Sequence, residues 1–192
     1  LAILVRQGKI LYTGTSKWPP TLIMEALGIS DRCGLPRFIT EQPPYNMVDR
    51  CVEKELVWMC IRQGIGIIPW GPLAYGILTG TYRKGQPFPE GHRFSSAKED
   101  NARITPAALE VVEKLLPLAA AHGCSLPQLA HSWLVNRPGV AAILIGPRTE
   151  EHLAQALASL DVQLTAEDLA AIDAIVPPGT YVTGELQARP GI

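Results

Sequence analysis

Apolar residues along this chain fall into two periodic patterns. Short, nearly continuous runs lie at 10–13, 38–41, 66–70 and 141–145. The third and fourth carry Ile67 and Ile68, and Ile143, Leu144 and Ile145. Runs of that kind predict strands buried on both faces, as in a parallel sheet beneath helices. Between them the apolar positions recur at helical spacing. Leu1, Ile3, Leu4 and Val5, followed by Arg6, Gln7 and Gly8, read as the last turns of a helix. Pro19-Pro20 opens a helix through Leu22, Ile23, Ala26 and Leu27 towards Gly34. Asp49 is the expected cap of the next, which carries Leu56, Val57, Met59 and Cys60 and closes at Gly64. Thr105-Pro106 opens a longer helix through Leu109, Val112, Leu115 and Leu116, with a kink expected at Pro117. A helix over 125–136 stops at Pro138-Gly139, and Thr149 starts another through Leu153, Ala156 and Leu157. Thr165-Ala166-Glu167-Asp168 fits a capping box before Leu169, Ile172 and Ile175.

Strand, loop and helix therefore alternate as β/α units, the first three strands centred near Tyr12, Ile39 and Ile67. One loop, about 79–103, breaks the rhythm, and a loop that long in a compact domain is usually functional. Four units are half of an eight-fold barrel, which typically needs about 250 residues. They are equally an open four-stranded sheet, and the count does not decide between the two. Residue 1 is Leu, no helix cap precedes it and no signal-peptide pattern follows it. Continuation upstream is the expectation; a frayed true N-terminus is the alternative.

Composition narrows the function classes. Of 192 residues, 47% are hydrophobic and 18% charged, which suits one domain with a sizeable core. Lys plus Arg is 17 against 18 for Asp plus Glu, net −1, so no basic footprint for nucleic acid or an acidic membrane exists. No apolar run approaches the roughly 20 residues of a spanning helix. Cys33, Cys51, Cys60 and Cys124 form no CxxC pair and no metal-type spacing, so a reduced cytoplasmic location is expected.

Ligands of parallel β/α folds sit at the carboxyl ends of the strands. Those ends read Tyr12-Thr13-Gly14-Thr15-Ser16-Lys17-Trp18, then Thr40-Glu41-Gln42-Pro43-Pro44-Tyr45-Asn46, then Ile68-Pro69-Trp70-Gly71-Pro72-Leu73-Ala74-Tyr75-Gly76, and finally Ile145-Gly146-Pro147-Arg148-Thr149-Glu150-Glu151-His152. One rim thus gathers a hydroxyl, a primary amide, an indole and a Gly-Pro-Arg helix start. The amide can pair with a carboxamide, the indole can stack on a planar ring, and the helix start with its Arg can hold phosphate. The set suits a phosphorylated cofactor with a flat heterocycle.

The same stretches, with Val5-Arg6-Gln7-Gly8-Lys9-Ile10 before them and Leu153 after, resemble the C-terminal half of an aldo-keto reductase. They occur in family order and cover the chain to about Val176. Trp70 and the long following loop look most like the branch containing potassium-channel β-subunits and related bacterial reductases. The resemblance implies a (β/α)8 TIM barrel, here strands five to eight as a single partial domain with a tail at about 177–192. It implies NADPH/NADP+ as cofactor, a small-molecule carbonyl substrate and no metal. Ser16 and Gln42 would bind the nicotinamide carboxamide and Trp70 would stack on the ring. Gly71, Pro72, Leu73 and Ala74 would line the pyrophosphate. Gly146 and Arg148 would meet the 2′-phosphate, His152 and Gln155 the adenine side, and Arg93 would close over the cofactor.

Three positions depart from the family pattern: Lys17 and Ala156 stand where Asn is common, and His152 where Gln is common. The family's Asp, Tyr, Lys and His acid–base set belongs to the first half of the barrel, so this chain alone is expected to lack the proton donor. A half-barrel also leaves unpaired strand edges, so an oligomer is among the expected states. The rival readings are a non-catalytic NADPH-binding regulatory module resembling a channel β-subunit, and a flavodoxin-like open sheet, for which the Thr13-Gly14-Thr15-Ser16 loop is short and poor in glycine. Trp58 and Trp133 read as core residues on helical faces, and His92, His122 and His131 as structural or exposed.

Overall fold

The computed structural model describes residues 1–91 and 104–183. α1 (Ala2–Arg6) is closed by Gly8 at φ +68°, where the Lys9 amide donates to the Leu4 carbonyl. β1 (Thr13–Thr15) leads to α2 (Pro20–Cys33), which ends at Gly34 in the left-handed conformation. β2 (Phe38–Glu41) is followed by a 3-10 turn (Cys51–Glu53) and α3 (Leu56–Gln63), closed by left-handed Gly64. β3 (Gly66–Ile67) runs into a second 3-10 segment (Ala74–Thr79). α4 (Pro106–Ala121) passes through Pro117 as one helix. α5 (Leu126–Val135), α6 (Glu150–Ala158), a third 3-10 turn (Ser159–Asp161) and α7 (Ala166–Ile175) complete the order. Caps hold the helix starts as expected. Thr105 and Thr149 accept from the amides three residues on, and Ser125 with Gln128 and Thr165 with Asp168 form full capping boxes.

The sheet is parallel, in the order β1-β2-β3. Residues 139–145 extend it on the far side of β3: the Ile67 amide donates to the Gly139 carbonyl, and Ala141 and Leu144 donate to Ile67 and Pro69. Neighbouring strands are thus successive in sequence, as in a barrel wall. One core packs α4, α5 and α7 over the loop after β2 and the 3-10 segment after β3, with Trp133, Leu115, Leu129 and Met47 fully buried. A smaller one joins α2 and α3 to β3 through Ile23, Leu27, Cys60 and Ile67.

Five expectations are corrected. The first strand lies at Thr13–Thr15, not 10–13, because the α1 stop leaves Leu11 and Tyr12 in the connection, 78% and 73% exposed. The third strand is named only over Gly66–Ile67, but its pairing continues to Trp70, whose amide donates to the Pro43 carbonyl; Pro69 has no N–H to lengthen the ladder. The fourth run is not buried on both faces: Leu144 and Ile145 are exposed and border an open cleft. Asp49 does not cap α3. It is buried and accepts from the Cys51 amide at 3.3 Å, starting the 3-10 turn instead. Of the two tryptophans read as core, Trp133 is buried, while Trp58 is 62% exposed beneath the Arg62 guanidinium.

Candidate functional site

Three of the predicted residues meet at the ends of β1, β2 and β3. The Ser16 hydroxyl donates to the Gln42 carbonyl at 2.8 Å, and the Gln42 amide donates to the Thr15 carbonyl at 2.9 Å. Ser16 is exposed and caps no helix. Gln42 is half-buried, and its carboxamide has no hydrogen bond among the described residues. Trp70 lies at the same rim through the parallel pairing of Pro44 with Trp70, its ring edge-to-face with Tyr75 at 6.0 Å. Beside Ser16, Lys17 holds a left-handed backbone at φ +61°. That conformation is one Asn adopts more readily than Lys, and Lys17 is the position where the family resemblance calls for Asn.

The remaining residues gather at a cleft of about 730 Å³. Gly71, Pro72 and Leu73 form one wall; Gly146, Arg148, His152 and Gln155 form another. Ala74 is fully buried beneath the turn and does not line the cleft. The turn is tightly wound: Gly71, Ala74, Tyr75 and Gly76 all have positive φ. Two successive non-glycine residues in that region store strain, which such turns retain where function fixes them. Arg148 is exposed and forms no ion pair among the described residues, so the pairing with Glu151 that would make it inert does not occur. It stands just before the first turn of α6, whose amides favour an anion. Gln155 reaches Glu151 at 3.5 Å. Arg93 lies outside the described residues.

Several residues that hold this arrangement carried no signal at the level of spacing. Glu41 is fully buried and accepts from the Thr15 hydroxyl and from the Trp18 amide, fastening the loop after β1 to β2. Burial raises its carboxyl above the usual range, and these hydrogen bonds act against the rise. Asn46 is the link between the loops after β2 and β3. Its Nδ2 donates to the Gly71 carbonyl at 3.1 Å, while its Oδ1 accepts from the Val48 and Asp49 amides at 3.0 and 2.9 Å. Asn46→Ala leaves the buried Val48 amide without its acceptor and cuts the tie to Gly71, whereas the Asp49 amide keeps the Asn46 carbonyl and the Gly71 carbonyl keeps the Ala74 amide. It is expected to cost about 1–2 kcal/mol of stability, read by chemical denaturation, and to loosen the turn at Gly71.

The model of the aldo/keto reductase family matches residues 1–177, and the chain belongs to that family, whose fold is the TIM barrel. Two relatives are each described as a probable voltage-gated potassium channel subunit beta. The one from Oryza sativa subsp. japonica is 35% identical over 178 residues, covering 90% of this chain and 54% of its own length. The one from Arabidopsis thaliana is 36% identical over 162 residues, covering 82% of this chain and 49% of its own. The chain spans about half the length of these relatives. Its parallel strands, paired in sequence order, fit part of the barrel wall.

Proposed function

We propose that this chain binds NADPH in the cleft between the Gly71 turn and the start of α6. On this reading it is the cofactor half of a reductase that converts aldehydes or ketones to alcohols. The convergence of Gly71, Gly146 and unpaired Arg148 on one cleft, beside the Ser16–Gln42–Trp70 rim, carries the proposal. The nicotinamide, when bound, supplies the hydride. Ser16 and Gln42 hold its carboxamide, and Trp70 sets the ring face. The turn formed by Gly71, Pro72 and Leu73 contacts the pyrophosphate, with Ala74 buried beneath it. Gly146 and Arg148 meet the 2′-phosphate, and His152 and Gln155 border the adenine. The proton donor belongs to the part of the barrel that this chain does not cover, so the chain by itself is inactive. The four cysteines form no disulfide, which suits a cytoplasmic protein, and assembly through the open sheet edges suits an oligomer. The names of the two plant relatives favour a second reading, an NADPH-binding module that regulates a partner without turnover.

Titration of the gene's full product with NADPH and NADH, followed by reduced-nicotinamide fluorescence, tests the proposal. A charged hydrogen bond to phosphate contributes about 1.5–3 kcal/mol. Arg148→Ala is therefore expected to weaken NADPH about tenfold or more and to leave NADH unchanged. Equal losses for both dinucleotides would remove the 2′-phosphate assignment, and no binding at all would remove the proposal. Turnover of a simple aldehyde by the same preparation separates the reductase from the regulatory module.

A further inference from the structure

α5 turns an apolar series inward: Leu126, Leu129, Ala130, Trp133 and Leu134 are all buried. His131 interrupts it. The residue is 5% exposed, and its Nδ1 is sealed from solvent with no hydrogen-bond partner among the described residues. It lines the same cleft as Gly71, Leu73, Gly146 and Arg148. An unpaired buried polar atom destabilises the fold, a cost that Leu at this place would not carry. Nδ1 itself is closed to the cleft, so an anion seated there acts on the ring through its charge and not by bonding this atom.

The titratable and charged groups around His131 come from every element packed on α5. The elements packed on α5 contribute Tyr75 from the 3-10 segment, Glu110, Glu113 and Lys114 from α4, Glu150, Glu151 and His152 from α6, and Asp161 from the third 3-10 turn. Tyr82 and Arg148 complete the titratable and charged lining of the cleft. None of them shifts the imidazole. Burial alone holds it below the usual histidine range, so the ring is neutral near pH 7.

We propose that His131 makes the cleft a proton-linked phosphate site, its imidazole taking one proton from solvent as the dinucleotide pyrophosphate seats. The inference rests on the reading of the cleft as a dinucleotide site. Its sign follows from linkage. The anion raises the proton affinity of the ring, so protons are taken up between the free and bound titration points. Over that window affinity falls as pH rises, by less than tenfold per pH unit.

Isothermal titration calorimetry of the gene's full product, in buffers of differing ionisation enthalpy from about pH 5.5 to 8, measures the uptake directly. NADH is the deciding ligand, because its pyrophosphate stays ionised throughout, whereas the 2′-phosphate of NADPH titrates by itself. The expected result is uptake of a fraction of a proton per NADH. That uptake vanishes in both His131→Leu and His131→Gln, with a flattened pH profile of Kd, and persists in His122→Gln, whose partner Asp168 lies outside the cleft. Leu should fold readily in that apolar series; if it does not, Gln decides. Binding without uptake, or uptake unchanged in either folded His131 variant, overturns this inference and leaves the cofactor reading standing. Failure of both dinucleotides to bind overturns both.

Discussion

Gly14→Ala is expected to lower stability by about 2–3 kcal/mol, with a melting-temperature drop of roughly 5–10 °C. Gly14 pairs with Thr40 across β1 and β2 at a point where the register shifts. A Cβ built there would stand 2.1 Å from the Thr40 Oγ1 and 2.8 Å from the Thr40 carbonyl oxygen. The hydroxyl can rotate away, but the carbonyl is in the ladder and cannot. β1 must therefore move off β2. That separation would pull apart the Thr15–Glu41 and Ser16–Gln42 bonds that set the rim of the proposed site. Glu41 would then be a buried carboxyl that has lost a donor, adding to the loss. Thr40→Ala in the Gly14→Ala background should recover only the side-chain part of the cost. Wild-type stability in Gly14→Ala would show that the two strands are not held this closely.

Gly14 illustrates which parts of this molecule can be read from a sequence. Helix ends were legible because caps are local chemistry. Gly34, Gly64, Thr105, Ser125, Thr149 and Thr165 all act where their types and spacing place them. Strand limits were less legible, because they depend on which neighbour supplies the ladder. Leu11 and Tyr12 are apolar enough for a strand, yet pairing begins only where Thr13 meets Phe38. Leu144 and Ile145 show the converse: they are continuously apolar, yet they border an open cleft instead of a buried sheet face.

The same division holds at the site. Residues 71–73 and Gly146, Arg148, His152 and Gln155 stood out because strand-end loops collect ligand groups, and the fold brings them to one cleft. The groups that support them did not stand out. Asn46 works through a turn amide and a carbonyl some 25 residues away in sequence, and no spacing rule encodes such a reach. A lone histidine on an apolar helix has no periodic signature, so the sequence alone leaves His131 structural or exposed. Only its burial and its unpaired Nδ1 distinguish it.

Arg50 is the clearest case of support without a motif, and its removal should have the largest effect. Its side chain is 1% exposed. Nε donates to both Glu53 oxygens, at 3.0 and 3.1 Å, and Nη1 to Asp173 at 2.7 Å and to the Val176 carbonyl at 2.6 Å. The guanidinium lies 5.2 Å from the centre of the Trp133 ring, with Arg137 also over that ring at 5.0 Å. Glu53 also accepts from the Tyr45 hydroxyl at 2.5 Å, and the burial of that phenol together with the carboxylate's charge raises its titration. Arg50 therefore joins the loop after β2 to α7 and to the strand-like segment beyond it, where the Val182 amide donates to the Val48 carbonyl. Truncating one member of a buried ion pair costs about 3–5 kcal/mol, and Arg50→Ala should lose that much in urea denaturation. Arg50→Lys should recover only part, since a single ammonium cannot serve Glu53, Asp173 and the Val176 carbonyl with the geometry of a planar fork. Hydrogen exchange localises the damage: in Arg50→Ala the amides of Arg50 and Val182 should lose protection before those of α2 and α3, which belong to the smaller core. Uniform loss of protection across both cores would mean instead that Arg50 supports the whole fold and not this junction.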